Sequence, residues 1–157
     1  METWDEQNLR NAIDVAREAR ENGNHPFGAV LSDHNGKVLM TAENTVLTEK
    51  DPTCHAETNL VRQAAKAYTP DFLADCTLYA STEPCPMCAG AIFWANIGRV
   101  VYGLSQAVLH QIVGGNTLEI LDLSCRKVLA HGKKTVQVLG PMLEDEAKSV
   151  HEGFWIE

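Results

Sequence analysis

Two short motifs limit this chain more than anything else in it: His55-Ala56-Glu57 and Pro84-Cys85-Pro86-Met87-Cys88. Each opens a stretch that reads as a helix. A fold that brings the two helix starts together gathers one imidazole, one carboxylate and two thiols. Three protein ligands with a fourth position open to water are the arrangement of catalytic zinc, whereas structural zinc closes all four positions with protein atoms. His55, Cys85 and Cys88 supply three. A helix start suits thiolates, because its unpaired N–H groups and the helix dipole lower thiol pKa values. Glu57 lies two residues beyond His55, too close on one turn for both to aim at one ion. It is placed instead to take a proton from the attacking water and pass it on. Addition of water to an amidine-like carbon with loss of ammonia is the reaction these parts fit.

Taken alone, Cys-x-x-Cys is also a redox pair or half of a structural zinc knuckle. No second Cys-x-x-Cys or His-x-His completes a knuckle, although Cys54 or Cys76 is available as a fourth ligand. The upstream His-Ala-Glu tips the balance towards a catalytic metal. Cys54, Cys76 and Cys125 read as buried small hydrophobes. His25, His34, His110, His131 and His151 read as surface or loop residues, and Glu83 as a group that orients the cysteine loop.

Five cysteines is an odd number in a chain of 157 residues, which favours reduced thiols over a disulfide framework. The length suits a single domain over residues 1–157. The formal net charge is -8, from 13 basic against 21 acidic residues. Nucleic-acid binding rests on neutralising phosphates with Lys and Arg, so the balance points to a small neutral substrate and away from nucleic acid. No apolar run approaches the roughly 18 residues of a membrane span, and Met1 to Gly23 lacks the pattern of a secretory signal. A cytoplasmic location without membrane contact is the expectation.

Around the motifs the pattern alternates. Leu9, Ala12, Ile13, Ala16 and Ala19 recur at helical spacing between Asp5 and Glu21. Phe27 to Leu31 and Lys37 to Thr41 flank Asn35-Gly36, a strong hairpin signal. Asn44 to Pro52 reads as a polar loop. A second helix, capped by Asp51 or Thr53, runs to about Ala67 with His55 and Glu57 in its first turn. Thr77 to Ala80 is a strand. Pro84 to Ile97 is a third helix with both cysteines in its first turn, and Arg99 to Gly103 a further strand. Asn116 to Leu123 is weakly helical, Thr135 to Leu139 a last strand and Leu143 to Trp155 a closing helix. Alternating helices and short strands imply an α/β sandwich with one sheet of about five strands.

These residues carry a resemblance. His-x-Glu followed by Pro-Cys-x-x-Cys is the signature of zinc-dependent base deaminases. Pro26-Phe27-Gly28-Ala29-Val30, Asn44, Asp51 to Glu57 and Glu83 to Ala91 together identify the chain as similar to the cytidine deaminase-like superfamily. The resemblance implies a three-layer α/β/α sandwich on a central five-stranded mixed sheet, one Zn2+ per subunit, water as co-substrate and a homodimer. Within the superfamily the chain resembles small bacterial guanine deaminases and tRNA adenosine deaminases. Phe27 and the run Ile92 to Ala95 favour the first, as does the acidic Glu144-Asp145-Glu146 where a basic helix would suit tRNA. Ile97 to Val101 reads like the second.

The activity so implied is hydrolytic deamination of a free base in nucleobase metabolism. Guanine or another 2-amino-oxo ring such as isocytosine leads, which would mean purine catabolism. Cytosine deamination, tRNA adenosine deamination and a non-catalytic zinc module follow. The implied substrate contacts are Phe27, Asn44, Ala56, Trp94, Asn116 and Trp155. Phe27 and Trp94 would be walls and Asn44 a hydrogen-bonding edge, and Trp155 with Glu157 would close the site in cis or from a neighbouring subunit. One departure stands out. Guanine deaminases carry an aspartate where this chain has Asn116, and the next carboxylate is Glu119. An amide cannot shuttle a proton, so either Glu119 substitutes or the base is not guanine.

Overall fold

A computed structural model describes residues 1–114 and 120–155. Helix α1 (Asp5–Glu21) is followed by the hairpin β1 (Gly28–Ser32) and β2 (Val38–Glu43), the one-turn α2 (Val46–Glu49), and α3 (Ala56–Ala67). Then come α4 (Pro70–Leu73), β3 (Thr77–Thr82), α5 (Pro86–Ala95), β4 (Arg99–Leu104), α6 (Gln106–Val113), α7 (Cys125–Ala130), β5 (Gln137–Leu139) and α8 (Glu144–Ser149). The sheet order is β2-β1-β3-β4-β5. β1 runs antiparallel to both its neighbours, and β3, β4 and β5 are parallel, so the sheet is mixed as expected.

Strand periodicity divides the core into two layers. Leu78 and Ala80 of β3 face one side, where Leu60, Ala64, Ile92 and Leu129 from α3, α5 and α7 pack. Tyr79 faces the other, with Leu9, Ile13 and Ala16 of α1 and Ala147 of α8. Helices on both faces of one sheet give the three-layer sandwich. Gly28 marks the tightest contact between layers: a Cβ there would lie 2.4 Å from the Ala12 carbonyl oxygen and the Ala16 nitrogen, so only glycine lets α1 lie this close to β1. The same helix is locked from its first turn. Buried Asp5 accepts from both Arg99 guanidinium nitrogens at 2.8 and 2.5 Å and from the Tyr79 hydroxyl at 2.7 Å. Although burial works to raise its pKa, these hydrogen bonds hold Asp5 down at about 2.

Several element expectations change. The Asn44–Pro52 loop contains α2. The second helix starts at Ala56 with His55 as its N-cap, because Asp51 is spent on its own turn, accepting the N–H and the hydroxyl of Thr53 at 2.8 and 2.7 Å. The third helix likewise starts at Pro86 with Cys85 as N-cap. Helices α4, α6 and α7 were not expected. Ser105 and Ser124 cap the last two, accepting from Val108 and Lys127 N–H. Of the weak helix proposed over Asn116 to Leu123, residues 116–119 lie outside the described residues, and 120–123 carry no regular structure. The closing helix stops at Ser149, and the chain beyond it is turned back by Arg20, which donates to the carbonyls of Val150 and Glu152. Among the described residues no helix is long and apolar enough to cross a membrane.

Candidate active site

The N-termini of α3 and α5 meet at one point beside the carboxyl end of β3, the edge at which α/β sheets bind ligands. His55 and Cys85 occupy the two N-cap positions, and Cys88 stands one turn into α5, fully buried. Pro86 suits the first helical position, where its missing N–H costs nothing. The donor atoms of His55, Cys85 and Cys88 all lie within 4.8 Å of one another. His55 Nδ1 is 3.6 Å from Cys85 Sγ and 3.5 Å from Cys88 Sγ. A tetrahedral zinc with bonds of about 2.3 Å to sulfur and about 2.0–2.1 Å to nitrogen separates those donors by about 3.6 Å. The two nitrogen–sulfur separations therefore match a tetrahedral zinc site.

Electrostatics agree with that donor set. A hydrogen bond from Cys88, reinforced by His55, holds the Cys85 thiol down at about 4, and the same pairing with Cys85 pushes the Cys88 thiol up. The hydrogen bond to Cys85 raises His55. Metal binding to such a donor set requires the thiols and the imidazole to give up their protons. Glu57, the second residue of α3, is 7% exposed. Burial and the charge on Cys85 push its carboxyl up to about 7, the range in which a carboxyl group can both take and return a proton at neutral pH.

Glu83 holds the cysteine loop from behind. Its two carboxylate oxygens accept the N–H of Gln106 and of Cys125, each at 3.0 Å, and its carbonyl accepts from Gln106 Nε2 at 2.6 Å. One carboxylate thus satisfies the first N–H groups of α6 and α7, where negative charge is favoured, and joins both helices to the loop as the sequence suggests.

Above this floor lies a cavity of about 110 Å3, lined by His25, Phe27, Asn44, Thr82, Gln106 and Leu109 together with the groups already described. Asn44 is buried, and its Oδ1 accepts the Val46 N–H at 3.0 Å, which leaves its NH2 group for the cavity. Phe27 and Asn44 both line the cavity. Trp94 does not: it is 82% exposed. On α5 it follows Cys88 by six residues, about 240° around the axis, so a helix that buries Cys88 turns Trp94 outward. Ala56 packs its methyl among the core residues behind His55 and is not on the cavity wall. Trp155 stands one layer further out, with ring centroids 5.4 Å from His25 and 6.2 Å from Phe27. Asn116, Glu119 and Glu157 lie outside the described residues.

Two histidines depart from expectation. His25 lines the cavity, and His151 is buried, accepting the Trp155 indole N–H on Nδ1 at 2.9 Å. Burial, with Arg20 nearby, lowers His151 to about 4 and keeps it neutral. Sequence reasoning also missed Thr82, Gln106 and Leu109. For Thr82 the signal was present: continuing the β3 alternation from Leu78 and Ala80 puts it on the side of the metal ligands.

Comparison with known proteins agrees with this geometry. Residues 2–104 match the family model of the cytidine and deoxycytidylate deaminase zinc-binding region. The chain is 44% identical over 148 residues to a probable cytosine deaminase of Schizosaccharomyces pombe, covering 94% of this chain and 90% of that one. It is 34% identical over 155 residues to a tRNA-specific adenosine deaminase of Bacillus subtilis, covering 99% and 91%. The crystal structure of the Bacillus subtilis guanine deaminase superimposes with a TM-score of 0.62 at 39% identity, covering 71% of this chain and 69% of that one.

Proposed function

This chain belongs to the cytidine and deoxycytidylate deaminase zinc-binding family, and from that premise we propose that it deaminates a small free heterocyclic base, a single-ring amino-oxo base of the cytosine type ahead of a purine. The enzyme is a zinc-dependent hydrolase of the deaminase class. The observation that carries the substrate reading is the cavity. At about 110 Å3 it is nearer the roughly 150 Å3 that admits a benzene-sized ring than the 300–1,000 Å3 or so of larger ligand sites. Similarity along nearly the whole length to a probable cytosine deaminase supports the same choice.

His55, Cys85 and Cys88 would hold the zinc. The chemistry supplied by bound zinc is Lewis-acid activation of water near neutral pH. Phe27 lays an apolar face against the ring, and the Asn44 NH2 donates to an acceptor on the ring edge, which fixes the amine-bearing carbon above the ligand triad. Glu57 takes a proton from the attacking water and delivers it to the ring nitrogen, then moves the second proton to the departing amine. Water enters, ammonia leaves, and the ring carbon ends as a carbonyl.

Guanine remains the second reading, favoured by Phe27 and by the 39% identity to a guanine deaminase of known structure. A tRNA substrate is disfavoured by the net charge of -8 and by the acidic start of α8.

The test is ammonia release from zinc-loaded enzyme given cytosine, isocytosine, guanine, adenine and a tRNA anticodon stem-loop. Glu57→Gln is expected to keep its zinc and lose about 10²–10⁴-fold in kcat. Turnover of guanine with no pyrimidine turnover would overturn the single-ring reading. Full activity of Glu57→Gln would remove Glu57 from the mechanism.

A further inference from the structure

Among the described residues of the cavity wall, one side chain holds a fully buried polar atom without a hydrogen-bond partner. Both Glu83 oxygens accept N–H groups, and Gln106 Nε2 donates to the Glu83 carbonyl. Asn44 Oδ1 accepts from Val46, and His55 Nδ1 faces the two cysteines. The exception is Thr82. Its side chain lines the cavity, the residue is 3% exposed, and its Oγ1 has no hydrogen-bond partner among the described residues.

A hydroxyl withdrawn from water without a partner is destabilising, and buried polar groups in native proteins are overwhelmingly satisfied. The position also argues against an accident of packing. Thr82 is the last residue of β3 and shares the sheet face of Leu78 and Ala80, the face on which α3 and α5 present His55 and Cys85. The next residue turns away into the cysteine loop, with Glu83 N–H donating to the Leu104 carbonyl at 2.7 Å. Thr82 ends a central strand beside the ligand triad, on the lining of a ring-sized space, and a turn about χ1 exchanges its methyl and its hydroxyl at that lining, which makes the hydroxyl a recognition group for a ligand.

We propose that Thr82 is a specificity-determining residue whose hydroxyl hydrogen-bonds the polar edge of the bound base. This rests on the base-deaminase reading above. A hydroxyl both donates and accepts, so Thr82 can meet a ring N–H or a ring carbonyl. Asn44, also on the lining, offers N–H donors. A base gripped by both must carry hydrogen-bonding atoms at two places on its edge beyond the amine, as amino-oxo rings do and plain amino-substituted aromatics do not. Thr82 thereby selects against rings that lack a polar atom at that place, because such a ring leaves the hydroxyl as unpaired in the complex as it is without ligand.

The experiment is equilibrium binding in the zinc-loaded Glu57→Gln background, where turnover does not interfere. Cytosine, isocytosine, guanine and 2-aminopyridine are titrated into that protein and into the same protein carrying Thr82→Val or Thr82→Ser. Val keeps the shape and removes the hydroxyl, and Ser restores it. Loss of one such hydrogen bond is expected to weaken the tightest-binding amino-oxo base on the order of tenfold, with Ser recovering most of the affinity and with zinc content and Tm held. Binding of 2-aminopyridine should be little changed by Thr82→Val. Equal affinities for Thr82→Val and the parent overturn the proposal and leave a hydroxyl that serves only a trapped water. Failure of the parent to bind any of the bases overturns it too, together with the deaminase reading. Thr82-dependent binding of a base that the native enzyme does not deaminate would sink the functional reading alone.

Discussion

The floor of the site and its outer wall are built on different plans. The floor comes from two helix starts: His55 and Glu57 from one, Cys85 and Cys88 from the other. Its geometry follows from helix capping and one β-α-β crossover, and all four groups lie in 34 consecutive positions, residues 55–88. The wall is gathered from separate places: His25 and Phe27 before and at the edge of β1, Asn44 after β2, Thr82 at the end of β3, and Gln106 and Leu109 on α6. Behind it stand His151 and Trp155 from the far end of the chain. A floor of this kind fixes which bond is broken. A wall assembled from independent segments can be retuned one segment at a time, and relatives of this chain are named for cytosine, guanine and tRNA adenosine.

The largest effect that can break this division is on the floor. Cys88→Ser removes a fully buried thiol of the candidate metal triad, and one donor fewer leaves the set short of the three that hold a catalytic zinc. Zinc measured on the purified variant is expected to fall from about one per chain to a small fraction, with deamination lost alongside. Retention of zinc at full occupancy would show that another thiol, Cys54 beside His55, completes the set.

A second effect, intermediate in size, belongs to the wall and is read by pH. Burial holds His151 at about 4 in the folded chain, against about 6.5 for a histidine in the unfolded one. The folded form therefore binds fewer protons in between. The contribution of neutral His151 is complete above about pH 6.5 and is lost as pH falls through about 4. Over that window the native Tm should decline more steeply than that of His151→Gln, which cannot titrate. Parallel curves for the two proteins would mean that His151 titrates as it does in the unfolded chain, and the wall would lose its neutral support for Trp155.

The same division explains what could be seen in the sequence. That His55, Glu57, Cys85 and Cys88 would come together was legible because metal chemistry dictates residue type and spacing together; α1 and α3 were legible from their apolar period, and α5, β3 and β4 as apolar runs set off by breaks and turns. The one-turn α2 and α4 and the six-residue α7 were not, since four to six residues carry too little periodicity to separate a helix from a loop. Histidine type alone did not reveal burial: His151 is enclosed because α8 ends at Ser149 and Arg20 draws the tail, with His151 and Trp155 on it, back against Phe27. Wall residues carry no spacing rule, so Thr82 and Leu109 appear only once strands and helices are placed.

Trp94 is where resemblance and helical phase gave opposite answers, and it supplies the smallest effect. Its place in Ile92-Phe93-Trp94-Ala95 suggested a pocket wall, yet six residues beyond Cys88 on the same helix is the far side of the axis. The structure leaves the indole 82% exposed, edge-on to Phe93 at 5.3 Å. Trp94→Ala should accordingly leave KM and kcat within about twofold of the native values, the range of ordinary surface substitutions. The variant also reports on the homodimer expected from the sequence when its sedimentation is compared with that of the native chain. A KM that rises severalfold while the sedimentation coefficient falls would mean that Trp94 acts on the cavity through a second copy of the chain. A rise in KM without a change in sedimentation would put the indole against the base within one chain, and the division between floor and wall would then have to be redrawn around α5.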